Sequence, residues 1–163
     1  DSEIVAARWE LPRQDGGGLC LADYVLDEDH VALFVTSAGD GVREQVEIWK
    51  REGEYLKSHG LAALALETAE AAAEWVHREL RRSWGVADPD GLSPKDLFAC
   101  RYRGKRYSFG YPACPDLGGQ RQLFAALAPE DIGVELTDGD MMDPEASVSA
   151  LVFHHPEARY FGV

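Results

Sequence analysis

The apolar positions of the first forty residues follow two extended rhythms. From Ile4 to Leu11, Val5, Ala7, Trp9 and Leu11 alternate with Ala6, Arg8 and Glu10, the period of a strand with one face on a core. Asp15-Gly16-Gly17-Gly18 ends that run as a turn. From Val31 to Thr36 the chain is apolar at both parities, which predicts a central strand buried on both faces. The rhythm then becomes helical. Val46, Trp49 and Gly53 share a face over about Val42 to Ser58, and Gly60 is placed as the break before a second helix. From Leu61 to Arg82, Leu61, Leu64, Ala65, Thr68, Ala72, Trp75 and Val76 keep i, i+3, i+4 spacing, and Gly85 stands where a left-handed C-terminal residue belongs. The many alanines of this helix suit close approach by another element.

Ser93-Pro94 predicts a further helix start, with Ser as N-cap, Pro in the first turn and Asp96 near the positive end of the dipole. A short helix is expected over Arg121 to Leu127, ended before Pro129. Strand signals dominate the last third: Val134 and Leu136, the run Ser147 to Phe153, and a closing strand at Tyr160 to Val163. No βα repeat runs through the chain, so the reading is α+β: one domain over residues 1–163, with a mainly antiparallel β-sheet covered by several α-helices.

Composition narrows the function classes. With 163 residues and 45% hydrophobic content, the chain can form a core. Sixteen Lys and Arg against 29 Asp and Glu give a net charge of −13, which argues against nucleic acid as a partner. No apolar run has the length of a membrane span. Cys20, Cys100 and Cys114 are odd in number and have no zinc-site spacing, so reduced cytoplasmic thiols are expected. The start at Asp1, without initiator Met or signal pattern, has the look of an excised piece.

The segment Arg106 to Pro115 holds two prolines and a glycine in ten residues, which predicts an irregular loop. Such a loop either binds a ligand through main-chain groups, with Arg106 clamping a carboxylate, or serves as a rigid connection with Tyr111 as filler. Glu70 falls nearly opposite the apolar positions of its helix, with Glu67 and Glu74 nearby, and on pattern alone reads as part of a solvated acidic face. Tyr160 reads as sheet packing. His154 and His155 are adjacent, so in a strand they face opposite ways and make a poor metal pair, and His77 has no partner at ligand spacing.

A wider pattern runs through the chain. Arg106-x-x-x-Gly110-Tyr111-x-x-x-Pro115 resembles the RxxxGYxxxP loop of the C-terminal activation domain of cobalamin-dependent methionine synthases. Leu21 to Val25 resembles that family's LADFV stretch, and Val35 to Gly39 its strand-to-helix VTAG turn. Glu70, Glu74-Trp75-Val76-His77 and Trp84-Gly85 follow in register. Ala146 to Ser149, and His155-Pro156 through Tyr160, are similar to its GASVSG and SHPDSKYY segments. The matches run in order over almost the whole chain.

The resemblance implies a domain that binds S-adenosylmethionine (AdoMet) and supports reactivation of the enzyme. There, oxidised cob(II)alamin on a neighbouring domain takes an electron from a flavodoxin-type donor and a methyl group from AdoMet. Such a domain is not catalytic alone; its task is positioning. Carried over, the resemblance implies that Arg106 meets the methionine carboxylate, Tyr111 and Ala113 offer backbone groups beside Gly110, Glu70 assists at the amino end, and Tyr160 lies along the ligand. The Tyr111 ring would also face the corrin. Two departures stand out. Leu117 replaces the histidine of the family's PACPDH, so a side-chain hydrogen bond is lost. The family's further N-terminal segment, which supplies an aspartate to the site, is also expected to be missing, so that the groove lacks one wall and binds weakly. The alternative is an interaction module that caps the cobalamin domain or docks the reductase through Arg101, Arg103, Lys105 and Arg106, without binding AdoMet.

Overall fold

A computed structural model describes residues 7–39 and 41–163. The elements in chain order are β1 (Ala32–Ser37), α1 (Val42–Arg51), α2 (Tyr55–Ser83), α3 (Pro94–Phe98), β2 (Lys105–Tyr107), α4 (Gln120–Leu127), β3 (Glu135–Leu136), β4 (Met142–Asp143) and β5 (Ser147–Phe153). The main sheet is antiparallel with order β1-β5-β2, and β3 pairs with β4 in a small second ladder. The class is α+β.

The central strand is β5, whose seven residues are all buried; the more apolar-looking β1 lies at the edge and is mostly half-buried. Alternate residues of β5 serve two cores, as the two-residue period of a strand requires. Val148, Ala150 and Val152 join Phe34, Ala69 and Ala73 under α2. Leu151 and Phe153 face Leu21, Tyr24, Tyr107, Phe109, Leu123 and Phe124 on the other side.

The helical breaks differ from the expected ones. Gly53, in the left-handed region at φ 81°, separates α1 from α2, and Gly60 lies inside α2. A lone glycine lowers helix propensity by about 1 kcal/mol, which a 29-residue helix packed on a sheet tolerates. The buried stripe is also rotated from the expected one: it runs Ala65, Ala69, Ala73, His77, Arg81, while Leu64 and Trp75 are exposed. Contact with the sheet selects the smallest side chains rather than the most apolar. The other end signals stand. The Gly85 and Val86 amides close α2 on the Arg82 and Arg81 carbonyls, and Ser93 with Asp96 forms a capping box on α3.

Among the described residues neither terminal strand is present. Ala7 to Leu11 form no ladder; their place is fixed by the Trp9 indole, which donates to the Gly119 carbonyl at 2.9 Å. Ile4 to Ala6 lie outside the described residues. Tyr160 to Val163 are likewise irregular, tied by hydrogen bonds to loops. Among the described residues no helix is long and apolar enough to cross a membrane.

Candidate functional site

Register places Arg106. On β2 it lies opposite Val152, so it shares the sheet face that α2 covers, whereas Tyr107 lies opposite Leu151 and points into the other core. Glu70 flanks the alanine stripe between Ala69 and Ala73, so the close approach of α2 brings it within reach of that edge. Arg106 Nη2 donates to Glu70 Oε2 at 2.8 Å, and Glu74, one turn on, lies 4.0 Å from Arg106 Nε. The Arg106 side chain keeps 19% of its exposure, that of Glu70 52%. Burial works against the charge on Arg106 but is outweighed by the bond to Glu70 and the fields around it, so its pKa stays above the usual arginine value.

Only Arg106 and Tyr107 of the expected loop belong to a strand; the rest is irregular. The Ser108 hydroxyl donates to the Ser149 carbonyl at 2.7 Å, and a tight turn follows, with Gly110 N–H on Cys114 O and Cys114 N–H on Tyr111 O, both 2.8 Å. Gly110 has φ 84°, a conformation that favours glycine, and a Cβ there would come within 3.1 Å of the Leu117 side chain, a tight contact. Leu117 thus supports the turn from beneath. Ala113 takes no part in the turn's own bonds, and Tyr111 is 63% exposed.

The C-terminal tail closes the site. The buried Tyr107 hydroxyl, its pKa pushed up by burial, donates to the Arg159 carbonyl at 2.8 Å, and Val163 N–H donates to the Pro112 carbonyl at 3.0 Å. The result is a cavity of about 580 Å³. Glu70, Arg106, Tyr111, Ala113 and Tyr160 line it; Gly110 shapes the turn without lining the cavity. Tyr107, Ser108, Pro112, Phe161 and Gly162 complete the lining. The sequence reading missed these, and the tail residues carry no local signal that could have found them. The space is within the usual range for small-ligand sites. It offers one cation, one carboxylate and several aromatic surfaces, a set suited to a zwitterion with a flat ring system.

The basic cluster does not form one exposed patch. Lys105 is buried, with Nζ on the Tyr102 and Gly104 carbonyls at 2.6 and 3.0 Å. Arg101 and Arg103 are exposed, bound to Asp96 and to the His154 carbonyl. His154 meets Asp29 at 2.8 Å, and His155 accepts from the Glu157 amide.

Residues 4–163 match the family described as vitamin B12 dependent methionine synthase, activation domain. The methionine synthase of Mycobacterium tuberculosis (strain ATCC 25618 / H37Rv) is 34% identical over 98% of this chain, and that of Mycobacterium leprae (strain TN) 34% over 96%. The chain spans 15% and 14% of the length of these two relatives. A crystal structure of the MetH reactivation domain bound to AdoHcy superposes with a TM-score of 0.84 at 30% identity, covering 93% of this chain and 49% of that one.

Proposed function

The chain belongs to the vitamin B12 dependent methionine synthase activation domain family, and on that premise we propose that it binds AdoMet in the cavity between Glu70, Arg106 and the C-terminal tail. Arg106 receives the methionine carboxylate, Glu70 the amino group, and Tyr160 lies along the ligand. Tyr111 and Ala113 offer backbone groups at the turn that Gly110 makes possible. The observation that carries this reading is the convergence of Arg106, Glu70, the turn and the tail on one cavity of about 580 Å³, in a chain whose structural relative is bound to AdoHcy.

AdoMet would supply an activated methyl group, and cobalamin on a neighbouring domain would receive it, reduced by an electron from a flavodoxin-type donor. The chain's own residues bind and orient. Arg106 anchors one end of the ligand by charge and geometry, which fixes the distance from that anchor to the methyl group. The exposed Tyr111 ring stands at the rim, where it would face the corrin. No proton leaves the methyl group, so no general base is required. The domain acts within a larger cobalamin-dependent methyltransferase that makes methionine, and is not catalytic alone. Three unpaired cysteines suit a reducing, cytoplasmic setting. Exposed Arg101 and Arg103 offer positive charge to an acidic electron donor.

Calorimetric titration with AdoMet tests the site. Wild-type chain should bind saturably, and Arg106→Ala should weaken binding about thirtyfold or more, the scale of removing one partner from a hydrogen-bonded charge pair. Absence of binding by folded wild-type chain, or equal binding by the variant, would overturn the reading.

A further inference from the structure

Beside the Arg106–Glu70 pair lies a second carboxylate that this reading does not use. Glu74 keeps 34% of its side-chain exposure, less than Glu70. Its Oε2 accepts from the Tyr102 hydroxyl at 3.3 Å and lies 4.0 Å from Arg106 Nε, and its Oε1 lies 3.7 Å from Arg81 Nη2. Arg81 is completely buried. Asp88 holds it with two bonds of 2.8 Å, and its guanidinium stacks over the Tyr102 ring, 3.8 Å from the centroid. Glu74 therefore rests on a platform whose other members are each pinned elsewhere. Glu70 has no such support. Half-exposed, it makes one side-chain hydrogen bond among the described residues, to Arg106 Nη2.

We propose that the two carboxylates divide the work on Arg106: Glu74 is a positioning residue that keeps the Nε edge of the guanidinium in place, and Glu70 is an internal stand-in for the ligand's carboxylate, displaced when that carboxylate arrives. The proposal rests on the reading that AdoMet binds at Arg106. A guanidinium presents its donors on two fixed edges, one with Nε and an Nη, the other with both Nη groups. Glu74, 4.0 Å from Nε, attracts by charge without a hydrogen bond, so the Nη donors stay available to a second carboxylate. Without a ligand, Glu70 keeps the half-buried cation paired, which an empty site needs because an uncompensated buried charge is unfavourable. On arrival the ligand's carboxylate takes the Nη edge, and the released Glu70 is left beside the ligand's ammonium. A zwitterion thus makes two ion pairs where one stood. A ligand with a carboxylate alone evicts Glu70 and gives it no partner. Glu70 therefore discriminates in favour of the intact amino-acid end, beyond what direct attraction to Arg106 supplies.

Three nucleoside ligands separate the roles by calorimetry on the whole chain: AdoHcy, its deaminated analogue bearing the carboxylate alone, and methylthioadenosine, which has neither group. Glu70→Gln should tighten the deaminated analogue about tenfold and narrow its gap to AdoHcy. Glu74→Gln should weaken both carboxylate ligands about tenfold, the scale of one charge-assisted contact, and leave methylthioadenosine unchanged. Tyr102→Phe, which removes the hydroxyl bonded to Glu74, should repeat the Glu74→Gln pattern more weakly, and serves if Glu74→Gln does not fold. A purely structural role for Glu74 would move all three ligands together and overturn the positioning role. An unchanged or weakened deaminated analogue with Glu70→Gln would overturn the stand-in role. Should wild-type chain bind none of the three, the AdoMet reading itself fails. Should it bind AdoHcy through Arg106 without the expected split, the division of labour alone fails.

Discussion

The buried stripe of α2 changes chemistry half-way along its length. Ala69 and Ala73 lie against the sheet with side chains one carbon long, and Ala65 is buried in line with them; His77 and Arg81 continue the same stripe as large polar groups, equally buried. The first half governs distance. Small residues let the helix axis come close to β5, and this brings Glu70 to Arg106 on the neighbouring strand. The second half governs charge. Past the sheet, where the chain turns through Tyr102 and Gly104 into β2, there is room for a long side chain, and Arg81 fills it with Asp88 as its counter-ion. One helix face thus performs two tasks that no single residue type could perform.

The comparison can be broken most severely at the charged end. Arg81→Ala leaves Asp88 almost buried without its cation, and removing one partner of a buried pair typically costs about 3–5 kcal/mol. Urea unfolding should report a loss on that scale; a change within about 0.5 kcal/mol, as surface substitutions give, would mean that this half carries no charge burden. At the alanine end, Ala73→Leu overfills a fully buried contact and should destabilise by about 1–3 kcal/mol in the same assay. If stability were unchanged, close approach of helix and sheet would not be what the alanines provide.

The smallest effect sharpens the contrast by pH. Burial, then the charges of Arg81, Arg106 and Lys105, lower the His77 pKa to about 3. The unfolded chain binds this proton near pH 6.5, the native state only near 3, so acidification through that window favours unfolding. His77 alone should make the protein about 1.4 kcal/mol less stable at pH 5.5 than at pH 7.5. His77→Phe should lack that component of the slope; identical pH profiles for the two chains would show that His77 takes up its proton in the native state.

Legibility followed locality. The N-cap at Ser93, the end of α2 at Gly85 and the helix before Pro129 depend on neighbours in sequence, and all were readable there. The Arg106-to-Pro115 loop was readable for the same reason, since its prolines and Gly110 constrain their own backbone. Misreadings occurred where tertiary contact decides. Val31 to Thr36 reads as the more buried strand, yet it is Ser147 to Phe153, with two serines, that the fold places at the centre. Gly60 reads as a break because propensity counts glycine against a helix, whereas packing along the rest of α2 overrides it. Glu70 reads as part of a solvated face because large apolar residues mark the wrong stripe; once the alanines are recognised as the sheet-facing set, Glu70 moves to the edge of the contact. Glu74 and Arg81 stand two turns apart on one face of α2, but Tyr102, which meets both, comes from another part of the chain, and helical spacing says nothing about that.

The wall supplied by Tyr160 to Gly162 belongs to no ladder; it is held by the Val163 amide on the Pro112 carbonyl, by the Gln14 side-chain amide on the Gly162 carbonyl, and by Tyr160 and Phe161 packed against Tyr107. Opening this wall breaks only these contacts and leaves the sheet ladders intact, so it costs less than global unfolding. The width of the cleft is set by contacts between loops rather than by strand pairing. A molecule seated against Tyr160 and Phe161 adds its own contacts to that set, so binding and tail closure favour each other.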